Sequence, residues 1–142
     1  MTQHQVTTSW SKQNPEAEQI ELAFTDGITL KANASKEEPI QTLFDPEQAL
    51  VAAISNCHML SFLAEAAKAG LQVTSYEDIA NGILAKNESG RIYVGKVVLS
   101  PRVVVDDQTF SLEDLSKLHE VAHHNCFIAN SVISDIDIKA RP

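Results

Sequence analysis

The stretch from Asp45 to Gly70 constrains the fold more than any other part of this chain. Asp45 has the short polar side chain that caps a helix, Pro46 fits the first helical position, and Gln48 stands where a capping-box partner belongs. Leu50, Ile54, Cys57, Ser61 and Ala64 then recur at helical spacing until Gly70, a natural stop. Residues 49–54 contain no polar side chain. A helix apolar nearly all round belongs in an interior, so residues 46–69 are expected to form a central buried helix.

The rest of the chain must cover that helix. Residues 6–11, 19–24 and 28–34 read as strands, the second alternating Ile20, Leu22 and Phe24 with polar partners. Asp26-Gly27 is a hairpin signal, because Gly tolerates the positive φ of a tight turn. Residues 35–44, with Lys36, Glu37, Glu38 and Pro39, read as an exposed connection. Residues 71–84, 91–99 and 102–105 are strand-rich, with a turn over 87–90. Ser111 caps a second helix with Asp114 three residues on, and Leu112, Leu115, Leu118 and Ala122 give its expected buried stripe. Asn125 is expected to cap a short helix over 126–132. Residues 133–139 close the chain as a strand, with Ile136 and Ile138 inward and Asp135 and Asp137 outward.

That order predicts an α+β fold with mostly antiparallel pairing, in a single domain over residues 1–142. A sheet of six or seven strands covers one side of a buried helix. In a chain this short, a second copy is expected on the other side, giving a homodimer with the central helices at its interface.

Charge narrows the function. With 11 Lys+Arg against 19 Asp+Glu, the net charge of −8 makes nucleic acid and anionic membrane surfaces poor partners. No apolar stretch is read as approaching the ~20 residues of a membrane span. Residues 1–12 are polar with no apolar core of a signal peptide, so a cytoplasmic location is expected. In that compartment Cys57 and Cys126 point to catalysis, redox chemistry or metal binding rather than to a structural staple.

Cys57 lies mid-helix, where a lone cysteine is usually a small core residue. Glu47 precedes it by ten residues, about 15 Å of rise and about 80° around the axis, so the two cannot touch along one helix. Cys126 follows His123, His124 and Asn125 at the start of a short helical segment, a setting expected to favour thiolate. A reactive thiol and a second thiol to resolve it are the minimum apparatus of thiol-based peroxide chemistry. His119-Glu120-Val121-Ala122-His123 matches H-E-x-x-H, a zinc pattern on a helix, but no third ligand follows at a familiar spacing. A site of Cys57, Cys126 and His124 has no better support, so no metal is expected. His58 points about 100° away from Cys57 and reads as a partly buried, hydrogen-bonded histidine. His4 reads as terminal, and Asp106-Asp107 and Asp135 with Asp137 as turn and solvated-strand residues.

Two blocks together carry a resemblance. Asp45-Pro46-Glu47-Gln48 leading to Ile54-Ser55-Asn56-Cys57-His58-Met59-Leu60, with Asn125-Cys126-Phe127-Ile128-Ala129-Asn130-Ser131, resembles the OsmC/Ohr family of osmotically inducible and organic hydroperoxide resistance proteins. The His-Met after Cys57 is similar to an OsmC-like branch. The resemblance implies an intertwined homodimer, with strongly bent antiparallel sheets wrapped around paired central helices. It implies thiol-dependent reduction of small organic hydroperoxides without haem, metal or other cofactor. Cys57 is then the peroxidatic thiol, Cys126 the resolving thiol, and Glu47 the carboxylate of the site's charge network. An external dithiol, lipoylated in well-known members, resets the disulfide. The family also uses an arginine near the N-terminus, and this chain has none before Arg91. Lys12 is the candidate thiolate-stabilising cation, with Arg91 and Arg102 as alternatives, although an ammonium cannot pair bidentately with Glu47. That departure makes a redox-sensing or small-molecule-binding protein the alternative function.

Overall fold

The capping box expected at Asp45 forms. Gln48 N–H donates to Asp45 Oδ1 at 2.7 Å, and Asp45 N–H donates to Gln48 Oε1 at 3.0 Å. These atoms belong to a computed structural model that describes residues 2–12, 19–24, 27–34, 36, 43–106 and 109–142. From that cap, helix α1 runs over Pro46–Lys68. It stops in a Schellman arrangement: Gly70 takes φ 72°, Gly70 N–H donates to Ala67 O at 3.0 Å, and Leu71 N–H donates to Ala66 O at 2.9 Å.

Contacts divide the chain into two compact units, Met1–Ala49 and Leu50–Pro142. In the first, strands β1 (Thr7–Ser9), β2 (Gln19–Ala23) and β3 (Thr29–Asn33) form an antiparallel sheet in that order. Thr7 faces Ala23, and Gln19 faces Asn33. Gly27 has φ 74°, as a tight turn demands, while Asp26 lies outside the described residues. So does most of the connection over 35–44, whose last residue, Phe44, bridges in parallel to Ala32.

The second unit adds β4 (Val73–Asp78), β5 (Asn81–Lys86), β6 (Ile92–Leu99), β7 (Pro101–Val105), helix α2 (Leu112–Asn125) and β8 (Asp135–Ile138). β4 pairs antiparallel with β7. β5 and β6 form a hairpin whose turn is closed by Asn87 Oδ1, which accepts from Ser89 N–H at 3.0 Å and Arg91 N–H at 2.9 Å. β8 joins the other edge of β6 in parallel, which requires a crossover, and α2 lies on the intervening chain. The result is α+β, with two helices among the described residues. It corrects the expectation of one sheet of six or seven strands: the described strands form sheets of three, two and three.

The faces of both helices also differ from expectation. On α1 the fully buried positions are Ile54, His58, Phe62 and Ala66, a stripe at spacing four; Cys57 and Ser61 are half-buried and Ala64 is exposed. Leu60 keeps 58% of its surface. Within this chain α1 is therefore buried along one stripe rather than all round. By length and composition α1 is also long and apolar enough to cross a membrane, which corrects the expectation that no stretch approaches a span. On α2 the inward face is Leu115, Leu118, His119 and Ala122, while Leu112 is 72% exposed. Leu112 lies ten residues from Ala122 and so about 80° off its face. The Ser111–Asp114 capping box is present, with Asp114 N–H donating to Ser111 Oγ at 3.1 Å and Ser111 N–H donating to Asp114 Oδ2 at 2.9 Å.

The core has two clusters along α1. Ile54 packs with Val97 and Leu99 of β6, flanked by Leu50, Val51, Ile136 and Ile138. Phe62 and Ala66 pack with Leu71 and Ala122, flanked by Tyr76, Val103, Leu115 and Leu118. His58 falls between them on the same stripe. Gly82 lets β5 approach α1: a Cβ built there stands 2.6 Å from Val51 Cγ2, too close for any real contact. Gly82→Ala is therefore expected to destabilise by about 1–3 kcal/mol through overpacking. Urea unfolding with an unchanged m-value is the check.

Candidate functional site

Two cysteines 69 positions apart (126 − 57) meet. Both are free thiols, Cys57 half-buried on α1 and Cys126 only 1% exposed at the C-cap of α2. Cys126 N–H donates to His123 O at 3.3 Å, and Ala129 N–H donates to Cys126 Sγ at 3.3 Å. The following 3₁₀ turn, Ala129–Ser131, has Ile128 at its N-cap and no side-chain cap, so Asn125 does not cap it as expected. Burial pushes the Cys126 thiol up, and a hydrogen bond with the Cys57 thiol adds to that. The Ala129 N–H opposes both and is outweighed. This corrects the expectation of a stabilised thiolate at Cys126: the buried thiol is held protonated beside Cys57.

Behind the thiols lies a pair of buried histidines whose partnership the sequence did not announce. His58 and His119 are 1% and 3% exposed. His58 Nε2 lies 3.0 Å from His119 Nδ1, and the rings are nearly parallel with centroids 5.3 Å apart. Phe62 stacks on His119 at 4.3 Å, and the Tyr76 ring lies tilted at 6.5 Å. A neutral imidazole has one N–H, so the bridge holds a single proton, carried by one ring and accepted by the other. Burial lowers His58 to about 4, with further lowering by His119 and His123 and a smaller opposing pull from Asp78. Burial alone brings His119 to about 4. The Tyr76 hydroxyl is raised by burial and by Asp78. His58 Nδ1, His123 Nδ1 and Tyr76 Oη are buried without a protein hydrogen-bond partner. Asp78 is itself fixed, accepting from Ser55 Oγ at 2.6 Å and from Ser100 N–H at 2.6 Å.

Each remaining candidate has a local setting of its own. Glu47 is half-buried in the first turn of α1, where a carboxylate complements the helix dipole. Lys12 is exposed just beyond β1. Arg91 is exposed in the β5–β6 turn, and Arg102 Nε donates to Pro142 O at 3.2 Å. Of the zinc-like pattern, His119 is engaged by His58, Glu120 is exposed and His123 is half-buried. Among the described residues, no three His, Cys, Asp or Glu side chains gather as a metal site. Asp107 lies outside the described residues. The sequence signal for the histidine pair was spacing: His58 continues the 54–62–66 stripe, and His119 lies between Leu115 and Ala122 on the α2 face.

The sequence profile of OsmC-like proteins matches residues 39–141. A search of the curated proteins finds no match. Among solved structures, an OsmC-like protein of unknown function from Vibrio cholerae superposes with TM-score 0.91 at 39% identity, over 99% of this chain and 100% of that one. An organic hydroperoxide resistance protein from Elizabethkingia anophelis, with thiocyanate bound, gives 0.74 at 16% identity over 99% and 94%. The organic hydroperoxide resistance protein OhrB of Bacillus subtilis gives 0.71 at 19% identity over 99% and 97%. At those lower identities the likeness is one of fold.

The histidine pair sets a pH dependence. The unfolded chain binds protons at its imidazoles below about pH 6.5, while folded His58 and His119 refuse them until about 4. Stability is therefore unaffected by them above about pH 6.5 and is lost progressively as pH falls from about 6.5 to about 4, by a few kcal/mol at about 1.4 kcal/mol per pKa unit. Urea midpoints taken from about pH 7.5 to about pH 4.5 are expected to fall with a shallower slope in His119→Phe, which has one titrating imidazole fewer. Equal slopes refute the assignment.

Proposed function

The chain belongs to the OsmC-like family, and on that premise we propose that it is a thiol-dependent peroxidase acting on small organic hydroperoxides. The observation that carries the reading is the meeting of Cys57 with Cys126, one half-buried and one almost wholly buried. The more accessible sulfur is the one a peroxide can reach, which supports Cys57 as the attacking thiol. The solved organic hydroperoxide resistance proteins of the same fold support the substrate class.

The chemistry runs in three steps. The Cys57 thiolate attacks the peroxide O–O bond, an S–O bond forms, and the alkoxide leaves and takes a proton to become the alcohol. The Cys126 sulfur then attacks the Cys57 sulfenic acid; an S–S bond forms, the S–O bond breaks, and hydroxide leaves as water with the Cys126 proton. An external dithiol, free or carried as a lipoyl group on another protein, exchanges with the disulfide and restores both thiols. No prosthetic group takes part. In this reading Glu47 is the carboxylate of the charge network, and Lys12 takes the place of the missing arginine. The working unit is proposed to be a homodimer, with the open side of α1, including Leu60, against a second copy.

A second reading keeps the dithiol and drops the turnover: a redox sensor or small-molecule-binding protein. The observation favouring it is that Arg102 and Arg141 are committed elsewhere. Arg141 is bound to Ser100 O at 2.6 Å and to Glu77 Oε1 at 3.0 Å, and Arg102 to Pro142. Consumption of cumene hydroperoxide with excess dithiol separates the two. The wild type is expected to turn over steadily, Cys57→Ser to be inert, and Cys126→Ser to stop at an oxidised Cys57. A wild type as inert as Cys57→Ser overturns the peroxidase reading.

A further inference from the structure

We propose that the hydrogen bond between His58 and His119 is a positioning device for the dithiol, pinning α1 to α2 so that Cys57 and Cys126 are held within joining distance. It deepens the dithiol reading above and rests on it. His58 is the immediate neighbour of Cys57 on α1. On α2, His119 precedes Cys126 by seven residues, two turns, so both lie within about 20° on one face. A single bond of 3.0 Å therefore fixes the level at which each sulfur is presented, through one residue on one side and two rigid turns on the other. A second tie between the helices, Asn125 Nδ2 to Glu65 Oε1 at 3.3 Å, is exposed and weaker.

The apolar contacts around the pair do not do this. Phe62 against Ala122 and Leu118 resists separation of the helices but tolerates sliding, because dispersion has no direction. A hydrogen bond has a narrow range of distance and angle. The pair is also a costly filling, since His58 Nδ1 is left buried without a partner, and two well-packed apolar side chains would serve stability as well or better. Setting the register of two elements is the use for which buried polar pairs are best attested. The groups facing the pair are His123 from α2 and Asp78 and Tyr76 from β4, with Phe62 from α1 stacked on it. Asp78 has its own partners in Ser55 and Ser100, and burial keeps both imidazoles neutral, so the bridge is a neutral one.

The test reads how well the sulfurs are held together and needs no peroxide. In glutathione buffer the two protein thiols exchange with oxidised glutathione to give one protein disulfide and two reduced glutathiones, so the equilibrium constant measures their effective concentration. Removing the bond with His58→Leu and His119→Leu is expected to lower that constant about tenfold, the upper end for one ordinary hydrogen bond. His58→Gln with His119→Asn places amide groups near the same two nitrogens and keeps an uncharged hydrogen bond. That pair is expected to return the constant to within about threefold of wild type. Urea unfolding identifies which variants are folded. A folded leucine variant with the wild-type constant, or an amide pair as poor as the leucine pair, overturns the proposal. So does a wild type that forms no Cys57–Cys126 disulfide in this buffer, even if it consumes hydroperoxide. Hydroperoxide left untouched while the glutathione series behaves as stated defeats the peroxidase reading and leaves the pin standing.

Discussion

An imidazole can be buried only if it gives up its charge and finds a partner for its N–H, and that constraint organises the centre of this protein. His58 sits on the single fully buried stripe of α1 and His119 on the buried face of α2, and the two share one hydrogen bond, one ring donating and the other accepting. One core cluster lies to the β6 side of this pair and the other to the α2 side. The apolar residues supply most of the driving force, but they leave the relative level of the helices loosely defined. The histidine bridge is the buried directional contact between them.

The dithiol inherits its geometry from that arrangement. Cys126 is almost wholly buried, and its thiol is raised by burial and by contact with Cys57, which favours the protonated form. The Ala129 N–H bound to Cys126 Sγ works in the opposite direction and stabilises the sulfur as its proton leaves. The two sulfurs differ in exposure, Cys57 half-buried and Cys126 almost wholly buried.

Local signals in the sequence translated well. The Asp45–Gln48 and Ser111–Asp114 boxes, the stop at Gly70 and the Asn87 turn each depend on a few neighbouring residues, and each formed. What the sequence concealed was long-range. Strand partners cannot be read from alternation, so three separate sheets and a parallel β6–β8 pair appeared in place of one antiparallel sheet. The spacing of Leu50, Ile54, Cys57, Ser61 and Ala64 suggests one stripe of α1, but residues 49–54 are all apolar, and such a helix does not announce its inward face. The buried face instead follows the spacing-four row that includes His58. The family blocks pointed to both cysteines, whereas the His58–His119 partnership joins residues 61 positions apart and no local pattern encodes it.

The central claim is that Cys57 and Cys126 form one redox unit. Its most direct test is the intact mass and thiol count of the reduced protein after one equivalent of an alkyl hydroperoxide. The account predicts a loss of about two mass units, both thiols consumed, and one peptide pair joining Cys57 to Cys126. A product that gains oxygen at Cys57 while Cys126 remains a free thiol contradicts it.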